Sequence, residues 1–232
     1  MLCSVGAAFA QGVTVKTHVV FEGQRQSRKR LPQESSAVLW LTPAKGWGVS
    51  PPRANNSGPR PQLVQKNKQF MPHVLAVEVG SVVDFPNHDP FFHNVFSLFD
   101  GKRFDLGLYE AGSTRSVHFD RAGICYIFCN IHPQMSAIVV VVDTPYFALS
   151  NSKGDVAISD VPSGQYRLNV WEEHCSARNL KEASREVSVG PDTSSLGTIR
   201  LEQSRELVLV HSNKYGRKYD PEVFSSPIYS QP

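Results

Sequence analysis

Cys129, His132 and Met135 stand within seven residues in the stretch CNIHPQM (129–135). A thiol, an imidazole and a thioether at this spacing converge only where the chain turns, because an extended strand spreads residues three apart. Pro133 stiffens such a turn. A fourth donor has to come from another part of the fold, and His93 in NHDPFFHNVFS (87–97) is the candidate. Singly, these are a buried thiol, two loop imidazoles and a core methionine. Together they are a metal-binding set.

The set is selective. His93, Cys129 and His132 as three strong ligands, with Met135 as a weak long one, describe a copper centre of the blue, electron-transferring kind. Thiolate and thioether favour Cu(I), and imidazoles accept Cu(II). Zinc is the competing metal, but it prefers four strong N, S or O ligands and gains little from a thioether. Asn94 follows His93, so its backbone N–H is a donor for the Cys129 sulfur and its side-chain amide a tie between the two ligand-bearing loops. The apolar stretches DPFF (89–92) and IHP (131–133) would exclude water and tune the metal's potential.

Three stretches of 62–143 resemble the cupredoxins, particularly the amicyanin and plastocyanin group. QFMPHVLAVEVGSVVDFPNHD looks like that family's approach to its first histidine, HNVFS like the first-histidine loop, and FDRAGICYIFCNIHPQM like its Cys-His-Met loop. The resemblance implies a Greek-key β-sandwich holding one type 1 copper through His93, Cys129, His132 and Met135. It also implies single-electron transport between redox protein partners outside the cytoplasm. The exposed edge of His132 would be the electron port, ringed by Phe91, Phe92, Ile131 and Pro133; simple core packing is the other reading of the Phe pair. Cys125 departs from the pattern, standing where the family usually has tyrosine. It opens a two-copper reading, since C-x3-C-x2-H-x2-M is one residue short of the dinuclear motif of oxidase subunits. Against that, 123–129 reads as an unbroken strand, whereas a dinuclear site needs both thiolates in one loop. A non-redox copper-binding or structural protein is the remaining class. No nucleophile–base pair or phosphate loop stands out, so an enzyme is not expected.

The elements around these residues read as strands. Alternating or continuous apolar runs occur at 13–21, 37–42, 73–80, 81–87, 115–120, 125–129 and 136–143, the last suited to burial on both faces. After Pro145, strands are expected within 146–173 and at 183–189, 196–201 and 206–211. SKGDVAISDVPSGQYRLNV resembles the carboxypeptidase regulatory-like sandwiches, of immunoglobulin or prealbumin type, which indicates a fold and not an activity. Such sandwiches begin with a strand pair like that at 13–43. The expected architecture is therefore all-β, with a cupredoxin domain (62–143) inserted into a second sandwich (12–43 plus 145–211). A sequential arrangement, 12–143 then 145–211, is the alternative. The Pro/Gly-rich stretch 43–61 is an excursion and the Tyr/Pro-rich 212–232 an extended tail.

The bulk properties narrow the rest. A net charge of +3 is too small to argue for nucleic acid or a membrane surface, and the basic run QRQSRKR (24–30) reads as a solvated loop. No stretch is long enough to span a membrane. The apolar start, ending in Ala8-Phe9-Ala10, reads as a signal-peptide remnant (1–10) and points to the periplasm or another exported location. Cys125 and Cys129, four apart on one strand, would have Cα atoms about 13 Å apart, too far for a disulfide. His174 and Cys175, adjacent after an expected strand, read as part of a polar loop. His88 could cap the His93 loop, and His118 faces outward from its strand.

Overall fold

In chain order the strands are β1 (Val13–Glu22), β2 (Val38–Pro43), β3 (Val64–Lys66), β4 (Gln69–Met71), β5 (Val74–Glu78), β6 (Val82–Pro86), β7 (His93–Ser97) and β8 (Phe104–Tyr109). They continue with β9 (Thr114–His118), β10 (Gly123–Phe128), β11 (Ser136–Val142), β12 (Phe147–Leu149), β13 (Asp155–Val161) and β14 (Gly164–Trp171). After a short helix, α1 (Ala177–Ala183), come β15 (Arg185–Val189) and β16 (Ser195–Glu202). The computed structural model describes residues 12–23, 36–44, 58–98, 101–204 and 212–218. The expected signal segment 1–10, basic loop 24–30 and strand 206–211 lie outside the described residues, with much of 43–61 and the tail beyond 218.

The protein is all-β and divides into two units. The first contains β1, β2 and β12 to β16. Its three-stranded sheet runs β13-β1-β16 and its four-stranded sheet β12-β2-β14-β15. β1 alternates as its sequence dictates: Val15, Thr17 and Val19 are buried while Thr14, Lys16 and His18 are exposed. β2 pairs with β12 and β14, placing Trp40 opposite Phe147 and Asn169. The inner faces close over Leu39, Leu41, Ile158, Tyr166 and Leu168.

One sequence expectation needs correcting here. The strand expected at 183–189 starts at Arg185, because Ala183 closes α1. The helix is set by a local cap: the Ser176 hydroxyl accepts the Asn179 N–H at 3.2 Å, and Arg178 pairs with Glu182 one turn on.

The second unit contains β3 to β11. Its five-stranded sheet runs β5-β11-β10-β7-β8, with two-stranded pairs β3-β4 and β6-β9. β11 is buried from Ala137 to Val142, as a nearly continuous apolar run between two neighbours must be. Phe85, Val95, Tyr109, Phe119 and Ile127 fill the core, which extends to Cys129, Ile131 and Met135 at one end. β10 delivers Cys129, β11 starts immediately after Met135, and β7 begins at His93. Phe128 faces Phe96 across the β10–β7 pair and Ser136 across the β10–β11 pair. Three neighbouring strands thus carry the four expected ligands to one end of one sheet.

Candidate metal centre

The 129–135 loop is closed by two main-chain hydrogen bonds. Cys129 N–H donates to the Met135 carbonyl at 3.2 Å, and Met135 N–H to the His132 carbonyl at 3.0 Å. The tight loop turns Cys129 and His132 toward each other, with Sγ and Nδ1 3.7 Å apart. His93, expected in a loop, is instead the first residue of β7. Its Nδ1 lies 3.8 Å from the same sulfur. The three donors lie within 4.8 Å of one another, the one such cluster of three among the described residues. The two sulfur–nitrogen separations are ones that a single ion with bonds of about 2.3 Å to sulfur and 2.0 Å to nitrogen would close. The residues therefore fit a metal ion. Met135 is fully buried in the same loop.

Electrostatics favour a cation among them. Burial pushes the Cys129 thiol up, and main-chain N–H groups of Asn94, Ile131 and His132 only partly oppose this. A positive ion is what would hold the thiolate in so dry a place. Burial likewise lowers His93, with Asp89 opposing, which favours the neutral imidazole that can ligate.

Asp89 sets which His93 nitrogen is free to ligate. Its Oδ2 lies 2.8 Å from His93 Nε2 and accepts the Lys68 N–H at 2.9 Å; its Oδ1 accepts the Asn67 N–H at 2.6 Å. An ionised carboxylate only accepts, so His93 Nε2 carries the proton and Nδ1 turns a lone pair toward Cys129. The sequence reading uses Asp89 only as part of a water-excluding stretch. A carboxylate four residues before a ligating histidine was the available signal. Asn87, fully buried, shapes the intervening loop: its Nδ2 donates to the Phe91 and Tyr109 carbonyls, and its Oδ1 accepts the Asp89 N–H.

The other expected residues sort by burial. Asn94 places its backbone N–H on the Cys129 sulfur. Its side chain does not tie the two ligand loops, because Nδ2 is engaged across the sheet by Asp105 at 2.7 Å. Phe91 and Ile131, expected in a surface patch, are 9 % and 7 % exposed. The Phe91 ring packs instead on both imidazoles, centroids 5.1 Å from His93 and 5.8 Å from His132. Phe92, at 47 %, and the half-buried Pro133 remain at the surface. His132 is 3 % exposed, so the expected exposed edge is a sliver. Cys125 stands apart from the cluster, its thiol 3.3 Å from both Ser97 Oγ and the Lys102 carbonyl. His88 and His118 are exposed. Cys175, expected in a polar loop, is instead buried in the core of the first unit and hydrogen-bonds to the buried Glu172 carboxylate, which also accepts from Gln203 and the His174 N–H. No helix among the described residues is long and apolar enough to cross a membrane.

No family model and no curated protein matches the sequence. Solved structures do. A copper-containing nitrite reductase (NirK) from Thermus scotoductus SA-01 is 24% identical over 36% of this chain and 22% of its own, with TM-score 0.34. A purple cupredoxin from Nitrosopumilus maritimus is 23% identical over 35% of this chain and 99% of its own, TM-score 0.32. The Cu(I) form of a point mutant of amicyanin is 23% identical over 38% of this chain and 88% of its own, TM-score 0.35. The chain thus spans about a fifth of the nitrite reductase and most of the two smaller proteins. These likenesses cover little more than a third of the chain, and the chemistry of the site has to stand on its own geometry.

Proposed function

We propose that the protein is a single-electron carrier built on one type 1 copper, which His93, Cys129 and His132 would hold, with Met135 as a weak fourth donor. The observation that carries the reading is one buried sulfur flanked at 3.7 and 3.8 Å by two imidazole Nδ1 atoms. When bound, copper would supply a one-electron Cu(II)/Cu(I) couple. The chain's own residues do the rest. Asp89 holds the His93 ring, three backbone N–H groups hold the sulfur, and Phe91 excludes water from both imidazoles. A site so constrained changes little between oxidation states, which is what fast electron transfer requires.

His93, Cys129 and Met135 are fully buried and His132 nearly so, which favours a carrier over an enzyme with a substrate position on the metal. His132 is the ligand with some exposed surface and is the proposed electron port to redox protein partners, with Phe92 and Pro133 beside it. Both Asp89 oxygens are occupied, so the cluster lacks the fourth strong ligand zinc would want. A buried, metal-held thiolate and the apolar start suit an exported, periplasmic setting for such a carrier. We further read the copper unit as inserted into the second sandwich. The pairing of β2 with β12 and β14 supports this reading.

The test is an optical and EPR spectrum of the copper-loaded full chain beside a Cys129→Ser control. An intense thiolate-to-copper band with a single-copper EPR signal is expected, lost in the control. Persistence of that band in Cys129→Ser would sink the proposal, and an electron shared over two coppers would replace it with the dinuclear reading.

A further inference from the structure

Residues 212–218 form a self-closed turn. The Asn213 side-chain oxygen accepts the N–H groups of Tyr215 and Arg217, each at 3.0 Å. The Asn213 N–H donates to the Arg217 carbonyl and the Gly216 N–H to the Asn213 carbonyl, both at 2.9 Å. Gly216 takes the positive φ of 73° that closes the turn. The turn presents Lys214 twice. Its backbone N–H donates to Asn130 Oδ1 at 2.9 Å, and its ammonium to Asp105 Oδ2 at 2.7 Å.

Both partners lead to the ligands. Asn130 directly follows Cys129. Asp105, on β8, uses its other oxygen to accept from the side chain of Asn94 at 2.7 Å, and Asn94 directly follows His93. One lysine therefore reaches both ligand-bearing elements from outside, on the loop side through Asn130 and on the β7 side through Asp105 and Asn94. We propose that Lys214 is a positioning residue of the metal centre, clamping the 129–135 loop against β7 so that Cys129 and His93 keep their spacing. This rests on the metal reading above.

The Lys214 and Asp105 side chains are 20 % and 40 % exposed, so the ion pair is partly solvated and adds little to global stability. Its effect belongs at the loop, which separates positioning from a merely structural role. The experiment uses the full chain, with Co(II) as a redox-inert probe, and compares wild type with Lys214→Met and Lys214→Arg. Two quantities are read: the rate at which a chelator in excess strips bound Co(II), and amide hydrogen exchange of residues 130–135 in the metal-free chain. Lys214→Met is expected to release Co(II) about threefold to tenfold faster, at the low end of what supporting residues around a metal site contribute. It should also speed exchange in 130–135 while leaving β14 unchanged, and Lys214→Arg should restore most of both. Wild-type release and exchange in Lys214→Met would overturn the clamp. If wild type takes up no Co(II), the metal reading fails by itself, and hydrogen exchange still decides whether Lys214 holds the loop.

Discussion

Asp89 is the residue on which the site's tautomer turns. Burial alone would raise its pKa, but the Lys68 N–H, the His93 imidazole and the Asn67 N–H reverse this and hold it below the usual carboxylate range. It therefore stays charged and accepting wherever the protein works above acid pH. Asp89→Asn keeps an oxygen for one donor but loses the charge; Asp89→Ala loses both. Competition titrations with a Cu(I) chelator should rank affinity wild type, Asn, Ala, with a total loss on the order of 10- to 100-fold. Equal affinities across the three would show that His93 is oriented by something else. Cys125 makes the opposite prediction. Its thiol lies near Ser97 and the Lys102 carbonyl inside the core, and serine can reproduce both contacts. Cys125→Ser should cost about 1 kcal/mol of stability and leave the optical and EPR spectra of the copper form unchanged. A spectrum that collapses in Cys125→Ser would bring the dinuclear reading back.

The donors that fix Asp89 come from the β3–β4 hairpin, whose two turn residues, Asn67 and Lys68, both sit at φ of 56°. Such a turn matches strand twist but strains residues that carry a Cβ, Asn least among them, and leaves Gly unstrained. Lys68 also lies 5.3 Å from the Phe91 ring centroid. Lys68→Gly relieves backbone strain while losing that contact, so its unfolding midpoint should stay near wild type and its copper affinity should hold, since the N–H to Asp89 remains. Lys68→Val loses the same contact and adds a β-branched side chain at positive φ; it should cost about 1–2 kcal/mol more than Lys68→Gly and weaken copper binding. Denaturant melts and chelator competition on the pair decide it, and equal behaviour would remove the hairpin from the site's support. This hairpin was not legible beforehand, because three-residue strands leave no periodicity. β7 was hidden for another reason: all five of its residues are buried, polar His93, Asn94 and Ser97 included, so nothing alternates. β8 is interrupted by Gly107, and α1 spans barely two turns. By contrast, β1, β11 and the Cys129–Met135 loop announce themselves through alternation, continuous apolarity and ligand spacing. Asp89 left a local signal in its spacing from His93, whereas Asn130 and Lys214 act through a pairing between segments far apart in sequence, which local pattern does not encode.

Each unit has its own buried core, one centred on Leu39, Ile158 and Leu168 and the other on Phe85, Ile127 and Cys129. A unit with its own core can unfold on its own, while metal binding stabilises only the unit that holds the ligands. Linkage sets the size: copper at 100 times its dissociation constant adds about 2.7 kcal/mol to the bound unit, a rise of roughly 10 °C or more in the melting point of a domain near 100 residues. The chain carries a natural reporter for the other unit. Of the three tryptophans, Trp40 and Trp171 lie on β2 and β14, outside the unit that holds the Cys129 cluster. Calorimetry of the loaded chain should therefore show a transition displaced upward, while the tryptophan fluorescence melt stays where it was in the metal-free chain. In Cys129→Ser, adding copper should move neither. If every calorimetric transition rises together with the tryptophan melt, the two cores unfold as one cooperative body. If the tryptophan melt rises with one calorimetric transition while a second stays put, the metal is bound by the other unit, and the Cys129 cluster loses its claim to it.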